Sequence, residues 1–383
     1  MKYIGVDDTD LDLFEGQYPV PEGVSYNSYV ILDEQTAVMD SVDVRKTDEW
    51  LANLREALEG RTPDYIVVQH MEPDHAASLG AFMDSYPGAR IVATAAALRM
   101  MPLYFEGRDF DSRSIAVGEN DTLTLGAHTL RFVPAPMVHW PEVMVTFDET
   151  DGVLFSADAF GKFGALSVAD DDWLPEARRY YINIVGKYGN QVQALLKKVS
   201  QLPVKTICPL HGPVLSERLG ECLALYDTWS SYCPEQEGVT IAYASIYGNT
   251  ARGAQALAEE LRRLGVERVV TYDLARQDQA SAVEAAFLHS TLVVASSTYD
   301  ASIFPPMLQF LNRLKSKNFS NRRVGIIENG SWAPVAGKAM TTILSALKGI
   351  EIVEPTVTLR GALKQTDMAA IRALAEALTE GKH

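Results

Sequence analysis

Four short apolar, β-branched runs in this chain each stop at a histidine or a carboxylate. Tyr65-Ile-Val-Val68 precedes His70-Met-Glu72-Pro-Asp74-His75, and Leu130-Arg-Phe-Val133 precedes His139. Gly152-Val-Leu-Phe155 precedes Asp158, and Val204-Lys-Thr-Ile207 precedes His211. Runs of this kind bounded by turn residues predict buried strands. The side chains that follow then sit just past strand ends, where an open α/β scaffold places its chemistry. Seven imidazole and carboxylate groups are too many for one tetrahedral zinc and suit two metals sharing a carboxylate. A binuclear metal site is expected, with His70, Glu72, Asp74, His75, His139, Asp158 and His211 as its ligands and catalytic groups.

A length of 383 residues with 47% hydrophobic content predicts two or three domains, each with its own core. No apolar stretch reaches the length of a membrane span, and the N-terminus lacks a signal peptide's basic and apolar regions. A cytoplasmic enzyme is expected. Cys208, Cys222 and Cys233 form no C-x-x-C pair, which argues against a disulfide framework, an iron–sulfur site or a fused rubredoxin module. The net charge of −16 is unevenly shared: from Gly238 onward 16 basic residues face 13 acidic ones, and before it 18 face 37. Neither part has the basic footprint of a nucleic-acid binder.

The change in charge coincides with a change in organisation. Ser230-Ser-Tyr-Cys-Pro-Glu-Gln-Glu-Gly238 is polar and bears Pro and Gly, so it reads as a linker between domains 1–237 and 238–383. Before it, short strands mix with helical stretches such as Lys46–Leu58 and Gln191–Leu202. After it, strands at Val239–Ala244, Leu292–Ala295 and Val324–Ile327 alternate with helices at Thr250–Leu264, Pro306–Leu314 and Ala336–Leu347. Such alternation predicts a parallel, doubly wound sheet.

The first turn of the second domain, Ser245-Ile246-Tyr247-Gly248-Asn249-Thr250, is built to wrap a phosphate. Its hydroxyls, amide and glycine stand where the following helix presents free N–H groups and its positive dipole end. It holds no lysine, so it is not a Walker-type loop, and it is not G-x-G-x-x-G. One terminal phosphate, as in FMN, suits it. Two later strand ends would flank a flat ring: Ser296-Ser297-Thr298-Tyr299-Asp300, and Glu328-Asn329-Gly330-Ser331-Trp332. Tyr299 and Trp332 are the candidates to stack on that ring.

Together these motifs resemble the flavodiiron proteins over essentially the whole chain, including the Asp-rich opening and Val24-Ser-Tyr-Asn-Ser-Tyr29. The resemblance implies an α/β protein: an N-terminal metallo-β-lactamase-like αβ/βα sandwich, then a flavodoxin-like doubly wound parallel sheet binding FMN. It implies two iron ions, one on His70, Glu72 and His139, the other on Asp74, His75 and His211, with Asp158 bridging. Hydrolytic relatives carry a histidine where Glu72 stands; a carboxylate there gives a harder, more anionic shell that favours the ferric state. The implied activity is reduction of dioxygen to water, of nitric oxide to nitrous oxide, or both. Electrons would pass through FMN from an external donor, a rubredoxin-like protein or a reduced soluble coenzyme. A head-to-tail homodimer, or a dimer of such dimers, would pair each metal site with the partner's flavin, and the charge contrast between the two domains supplies a physical motive. Trp140 is expected as a pocket wall, and the Tyr180-Tyr181 pair offers a phenol near the metals. His128 and His289 read as structural. Two other classes remain open on the residues: a metallo-β-lactamase-type zinc hydrolase with an accessory flavodoxin-like module, and a redox carrier that uses only its flavin.

Overall fold

The computed structural model describes residues 1–168 and 172–380. The chain divides into two compact units, Met1–Asp227 and Thr228–His383. The polar stretch read as a linker is taken up at both ends by regular structure. Helix Leu219–Ser230 runs into it, and Gln236–Gly238 already belong to the strand Gln236–Ala244. Gly238 is there for close approach rather than flexibility: a Cβ at this position would lie 2.4 Å from the His289 ring. The last residues of the expected second domain, 381–383, lie outside the described residues.

The first unit holds two facing sheets. One runs in the order Lys2–Tyr3, Tyr29–Ile31, Ala37–Met39, Tyr65–Val68, Arg90–Thr94, Ser114–Val117. Its last four strands are parallel. The other runs Thr122–Thr124, Thr129–Pro134, Met144–Asp148, Val153–Phe155, Thr206–Cys208. Tyr29, Met39 and Val67 of the first sheet pack with Phe132, Met144 and Phe155 of the second in one buried cluster. Each such side chain contributes about 1.5–3 kcal/mol by leaving water. Helices carry apolar stripes of their own: Trp50, Leu54 and Leu58 recur every four residues along Thr47–Leu58, as an amphipathic helix requires. Helix Gly189–Val199 buries Val192, Leu195 and Val199 in the same way.

Strand direction in the second sheet decides where the chemistry falls. Thr129–Pro134 and Val153–Phe155 both run antiparallel to Met144–Asp148, and Thr206–Cys208 is parallel to Val153–Phe155. Three strands therefore end at one edge, and His139, Asp158 and His211 follow those ends.

The second unit is a parallel sheet of five long strands. They are Gln236–Ala244, Val269–Asp273, His289–Tyr299, Arg322–Asn329 and Ile350–Leu359; counted in chain order they lie side by side as 2-1-3-4-5. This is the flavodoxin-type order, with a topological switch point between the first and third strands. A core of Val239, Ile241, Val293 and Ile327 packs under helices Asn249–Arg263 and Met368–Thr379. No helix among the described residues is long and apolar enough to cross a membrane.

Candidate functional site

The fold brings all seven predicted ligands into two adjoining groups. His70, Glu72, His139 and Asp158 form one; Asp74, His75 and His211 form the other; within each, the potential ligand atoms lie within 4.8 Å of one another. Pro73 opens the short helix Pro73–Ala76, which carries Asp74 and His75. Proline suits a first helical turn because its missing N–H would be unpaired there anyway.

Asp158 faces both groups at once. Its Oδ2 lies 3.0 Å from His139 Nε2 and 3.3 Å from His70 Nε2, while its Oδ1 lies 3.1 Å from His75 Nε2 and 3.8 Å from His211 Nε2. Glu72 Oε2 reaches His139 Nε2 at 3.0 Å and His70 Nε2 at 3.2 Å. Asp74 Oδ2 stands 3.3 Å from both His75 Nε2 and His211 Nε2. His75 has its Nε2 turned inward with the rest.

The far ring nitrogens fix several of these orientations. His211 Nδ1 is 2.7 Å from the Ser25 carbonyl, and His70 Nδ1 is 2.7 Å from Glu142 Oε1. Buried polar atoms ordinarily find hydrogen-bond partners. Here both carboxylate oxygens of Asp74 and of Asp158, and Nε2 of His75, His139 and His211, are buried with no hydrogen-bond partner among the described residues. Imidazole and carboxylate donors left in this state fit a pair of cations.

The electrostatics agree. Burial opposes ionisation of Asp158, yet the close approach of His70, His139 and His75 holds its carboxyl well below the usual carboxylate range. Glu72, also opposed by burial, is drawn down to about 2 by His139 and His70. His139 is lifted to about 9, against burial, by Asp158 and Glu72. Asp74 is pushed up to about 7 by burial. Cations would displace protons from such a set and take the freed lone pairs.

The surrounding aromatics divide. The Trp140 ring stands edge-on to His70 at 5.3 Å and flanks the site. Tyr180 is buried with its ring 5.4 Å from His211, and burial with the charges of Asp158, Asp74 and Glu72 pushes its phenol far up. Tyr181 packs on Tyr226 instead, centroids 4.9 Å apart. His289 is buried with Nδ1 2.8 Å from the Thr240 hydroxyl. His128 pairs with Asp148 at 2.8 Å and, with Asp151, forms a third group able to hold a cation.

In the second unit a cleft of 290 Å³ opens past the strand ends. Twelve residues of the predicted turn and strand ends line it: Ser245, Ile246, Tyr247, Asn249, Thr250, Ser297, Thr298, Asp300, Asn329, Gly330, Ser331 and Trp332. Gly248 is the N-cap of helix Asn249–Arg263 at φ +86°, with no side chain capping the turn, so the N–H groups of that turn carry no side-chain cap. The structure sets Tyr299 outside the lining, its ring 5.6 Å from Phe304. The loop is braced from beneath: Thr250 Oγ1 is 2.8 Å from Ser297 Oγ, and Thr298 Oγ1 accepts Val335 N–H at 3.0 Å. A larger cavity, 1290 Å³, lies at the opposite ends of these strands. Two of its arginines are already committed: Arg322 donates to the His289 and Tyr232 carbonyls, and Arg323 to those of Leu378 and Ala377.

Glu142 and Gly361 are among the contributors that escaped the sequence. Glu142 follows His139 by three residues, and the available signal was a lone carboxylate entering the apolar strand Met144–Asp148. Gly361 lines the cleft at φ +82°, exchanging backbone hydrogen bonds with the Asn329 side chain.

Residues 24–212 match the model of the ODP family beta lactamase domain. The chain is 30% identical over 379 residues to a nitric oxide reductase of Moorella thermoacetica, covering 96% of this chain and 93% of that one. It is likewise 30% identical to the anaerobic nitric oxide reductase flavorubredoxin of Aliivibrio salmonicida, over 87% of this chain and 68% of that one. The crystal structure of the flavodiiron protein from Giardia intestinalis superposes with a TM-score of 0.91 at 26% identity, covering 98% of this chain and 94% of that chain.

Proposed function

The chain belongs to the flavodiiron protein family of oxidoreductases, and from that premise we propose that it reduces nitric oxide to nitrous oxide, dioxygen to water, or both, at a diiron site fed by FMN. The observation that carries this reading is Asp158, whose two oxygens face two separate sets of ligands. A bridging carboxylate between two harder, carboxylate-rich positions suits iron better than a hydrolytic zinc pair. Glu72 stands within one of those sets, so it adds an anion to a position that histidines alone would leave more nearly neutral.

His70, Glu72 and His139 would hold one iron; Asp74, His75 and His211 the other; Asp158 would join them. When bound, the irons supply one-electron chemistry and positions for a diatomic gas. The chain's own residues orient those ions: Glu142 and the Ser25 carbonyl fix the rings of His70 and His211, and Trp140 walls the site. Two molecules of nitric oxide take two electrons and two protons to give nitrous oxide and water; one dioxygen takes four of each to give two waters. The flavin would lie in the cleft with its phosphate on the Ser245–Thr250 turn and its ring beside Trp332. The electrons come from an external donor, a rubredoxin-like protein or a reduced soluble coenzyme. The Moorella relative's activity and near-complete coverage favour nitric oxide as one substrate.

Purified protein should contain two irons and one FMN per chain and should consume nitric oxide or dioxygen at a steady rate with a donor that regenerates the flavin. Zinc in place of iron, with hydrolase turnover and no gas consumption, would overturn the proposal. The assembly is a homodimer, or a pair of homodimers, in which each metal site draws on the partner's flavin. Chains lacking metal (Asp158→Ala), mixed and reassembled with chains unable to hold flavin, should regain part of the activity. No recovery in hetero-dimers confirmed by mass would mean that electrons travel within one chain.

A further inference from the structure

Of the histidines facing Asp158, His70 is the one shown with a carboxylate on its far nitrogen. Glu142 Oε1 stands 2.7 Å from His70 Nδ1, and both side chains are wholly buried. The same oxygen accepts the Met71 N–H at 2.9 Å. The Thr94 hydroxyl donates to the Glu142 carbonyl at 2.8 Å and itself caps helix Ala95–Tyr104 by accepting the Ala97 N–H. One carboxylate oxygen thus holds both His70 and the Met71 N–H, and the Thr94 hydroxyl fixes the residue's backbone, while Oε2 is buried with no hydrogen-bond partner among the described residues. His211 has only a neutral partner, the Ser25 carbonyl, and His75 Nδ1 is buried with no hydrogen-bond partner among the described residues.

A carboxylate on the outer nitrogen of a ligating imidazole sets its tautomer, aims its Nε2 lone pair inward and makes it a stronger donor. We infer that Glu142 is a positioning residue that makes the two metal positions unequal, so that the ion on His70, Glu72 and His139 is the tighter bound and the more readily kept oxidised. The inference rests on the reading of the site as a diiron centre. It adds that the asymmetry is built by a residue outside the ligand set, and that the other position is the weaker and more easily reduced of the pair.

The test is an anaerobic calorimetric titration of metal-free protein with Fe(II), combined with a potentiometric titration followed by electron paramagnetic resonance. The wild type should bind in two distinguishable steps. Glu142→Gln keeps the shape and an acceptor oxygen but loses the charge. It should weaken the tighter step by about 10–100-fold, as outer-shell partners of metal ligands do, and leave the weaker step alone. If the oxidised ion loses tenfold more affinity than the reduced one, that ion's potential rises by about 59 mV. Glu142→Asp, which keeps the charge on a shorter arm, should recover part of the affinity, and it carries the comparison if the amide variant misfolds. Unchanged steps and potentials in Glu142→Gln would overturn the inference. So would equal weakening of both steps with a lowered melting temperature of the metal-free protein, which marks a purely structural carboxylate. A wild type that binds no Fe(II) would sink the diiron reading itself.

Discussion

His70 and His211 are 0% exposed, and His75 and Asp158 only 1%, whereas Tyr247 and Trp332 at the cleft are 92% and 89% exposed. The first region gathers charged side chains from strand ends far apart in sequence and holds them by outer partners such as Glu142, Ser25 and Asp40. The second relies on one continuous turn, the N-terminus of one helix, and aromatics that stand in solvent. The difference follows from what each is proposed to bind. Small cations demand side-chain lone pairs at fixed spacing, and the buried charges are tolerable only when compensated. A flat cofactor with a phosphate can be met by backbone N–H groups and covered by side chains that settle on it.

The comparison breaks most sharply at Asp158. Asp158→Ala removes the oxygens that face both ligand groups and leaves four clustered imidazoles without their shared anion. Metal affinity should fall by more than about 100-fold, beyond the range typical of outer-shell losses, while flavin stays at one per chain. Elemental analysis and the flavin spectrum of the same preparation decide it. Retention of both metals would mean that the bridge is elsewhere.

Removing the ligands should separate the two units thermally. A ligand that binds only the folded state at 100 times its Kd stabilises by about 2.7 kcal/mol, and a unit this large shifts by about 2–4 °C per kcal/mol. Chelation should therefore lower the calorimetric transition of the first unit by about 5–10 °C and leave that of the second in place. Flavin removal should do the reverse. A single transition that moves equally under both treatments would show that the regions are not energetically separate.

At the cleft the effects should be smaller. Thr250→Val deletes the hydroxyl that meets Ser297 and stands in the first turn of helix Asn249–Arg263, where the flavin phosphate is proposed to sit. Loss of one hydrogen bond to a charged group weakens flavin binding by about 1–2 kcal/mol, near tenfold in Kd, without touching metal content. An unchanged titration of apoprotein with FMN would remove Thr250 from the site.

The same contrast explains what the sequence could reveal. Tyr65–Val68 reads directly as a strand because its apolar β-branched run is buried and bounded by a turn, and the ligands that follow it come with its end. The Ser245–Thr250 turn that lines the cleft was legible for a related reason: all its residues are contiguous. Glu142 was not, because its partner His70 lies 72 residues away and only sheet pairing brings them together. The edge strand Ile350–Leu359 also escaped. It carries Glu351, Glu354 and Pro355 and is buried on few positions, as an edge strand allows, so it offers no continuous apolar run. With it went Gly361, which follows its end. In the stretch read as a linker, Pro234 and Gly238 look like flexible punctuation, while strand Gln236–Ala244 runs through Gly238, which lies against the His289 ring.

The smallest effect concerns the support beneath the proposed metal ligands. Asp40 is wholly buried, and its carboxylate accepts the Gln69 backbone N–H at 2.7 Å and the Gln69 side-chain amide at 2.8 Å, fixing the residue before His70. Burial pushes its carboxyl up from 3.8 to about 6, even though Gln69 pulls it down. A raised carboxyl means that the folded state binds the extra proton between those two values, so this group's contribution to stability falls as pH rises through that window and is level above it. Asp40→Asn removes the titration. Its Oδ1 can still accept the backbone N–H, and Gln69 can turn over so that Oε1, buried without a hydrogen-bond partner, accepts from the new amide. The backbone agrees, since Asp40 sits at φ +54°, a region asparagine enters readily. At neutral pH the variant should differ from wild type by under about 1 kcal/mol, the scale of one exchanged hydrogen bond. The difference between the two in urea unfolding, followed in the first unit, should change sign or slope between pH 4 and 6 and flatten above. A difference independent of pH would show that Asp40 remains ionised, and that some positive group near Gln69 offsets its burial.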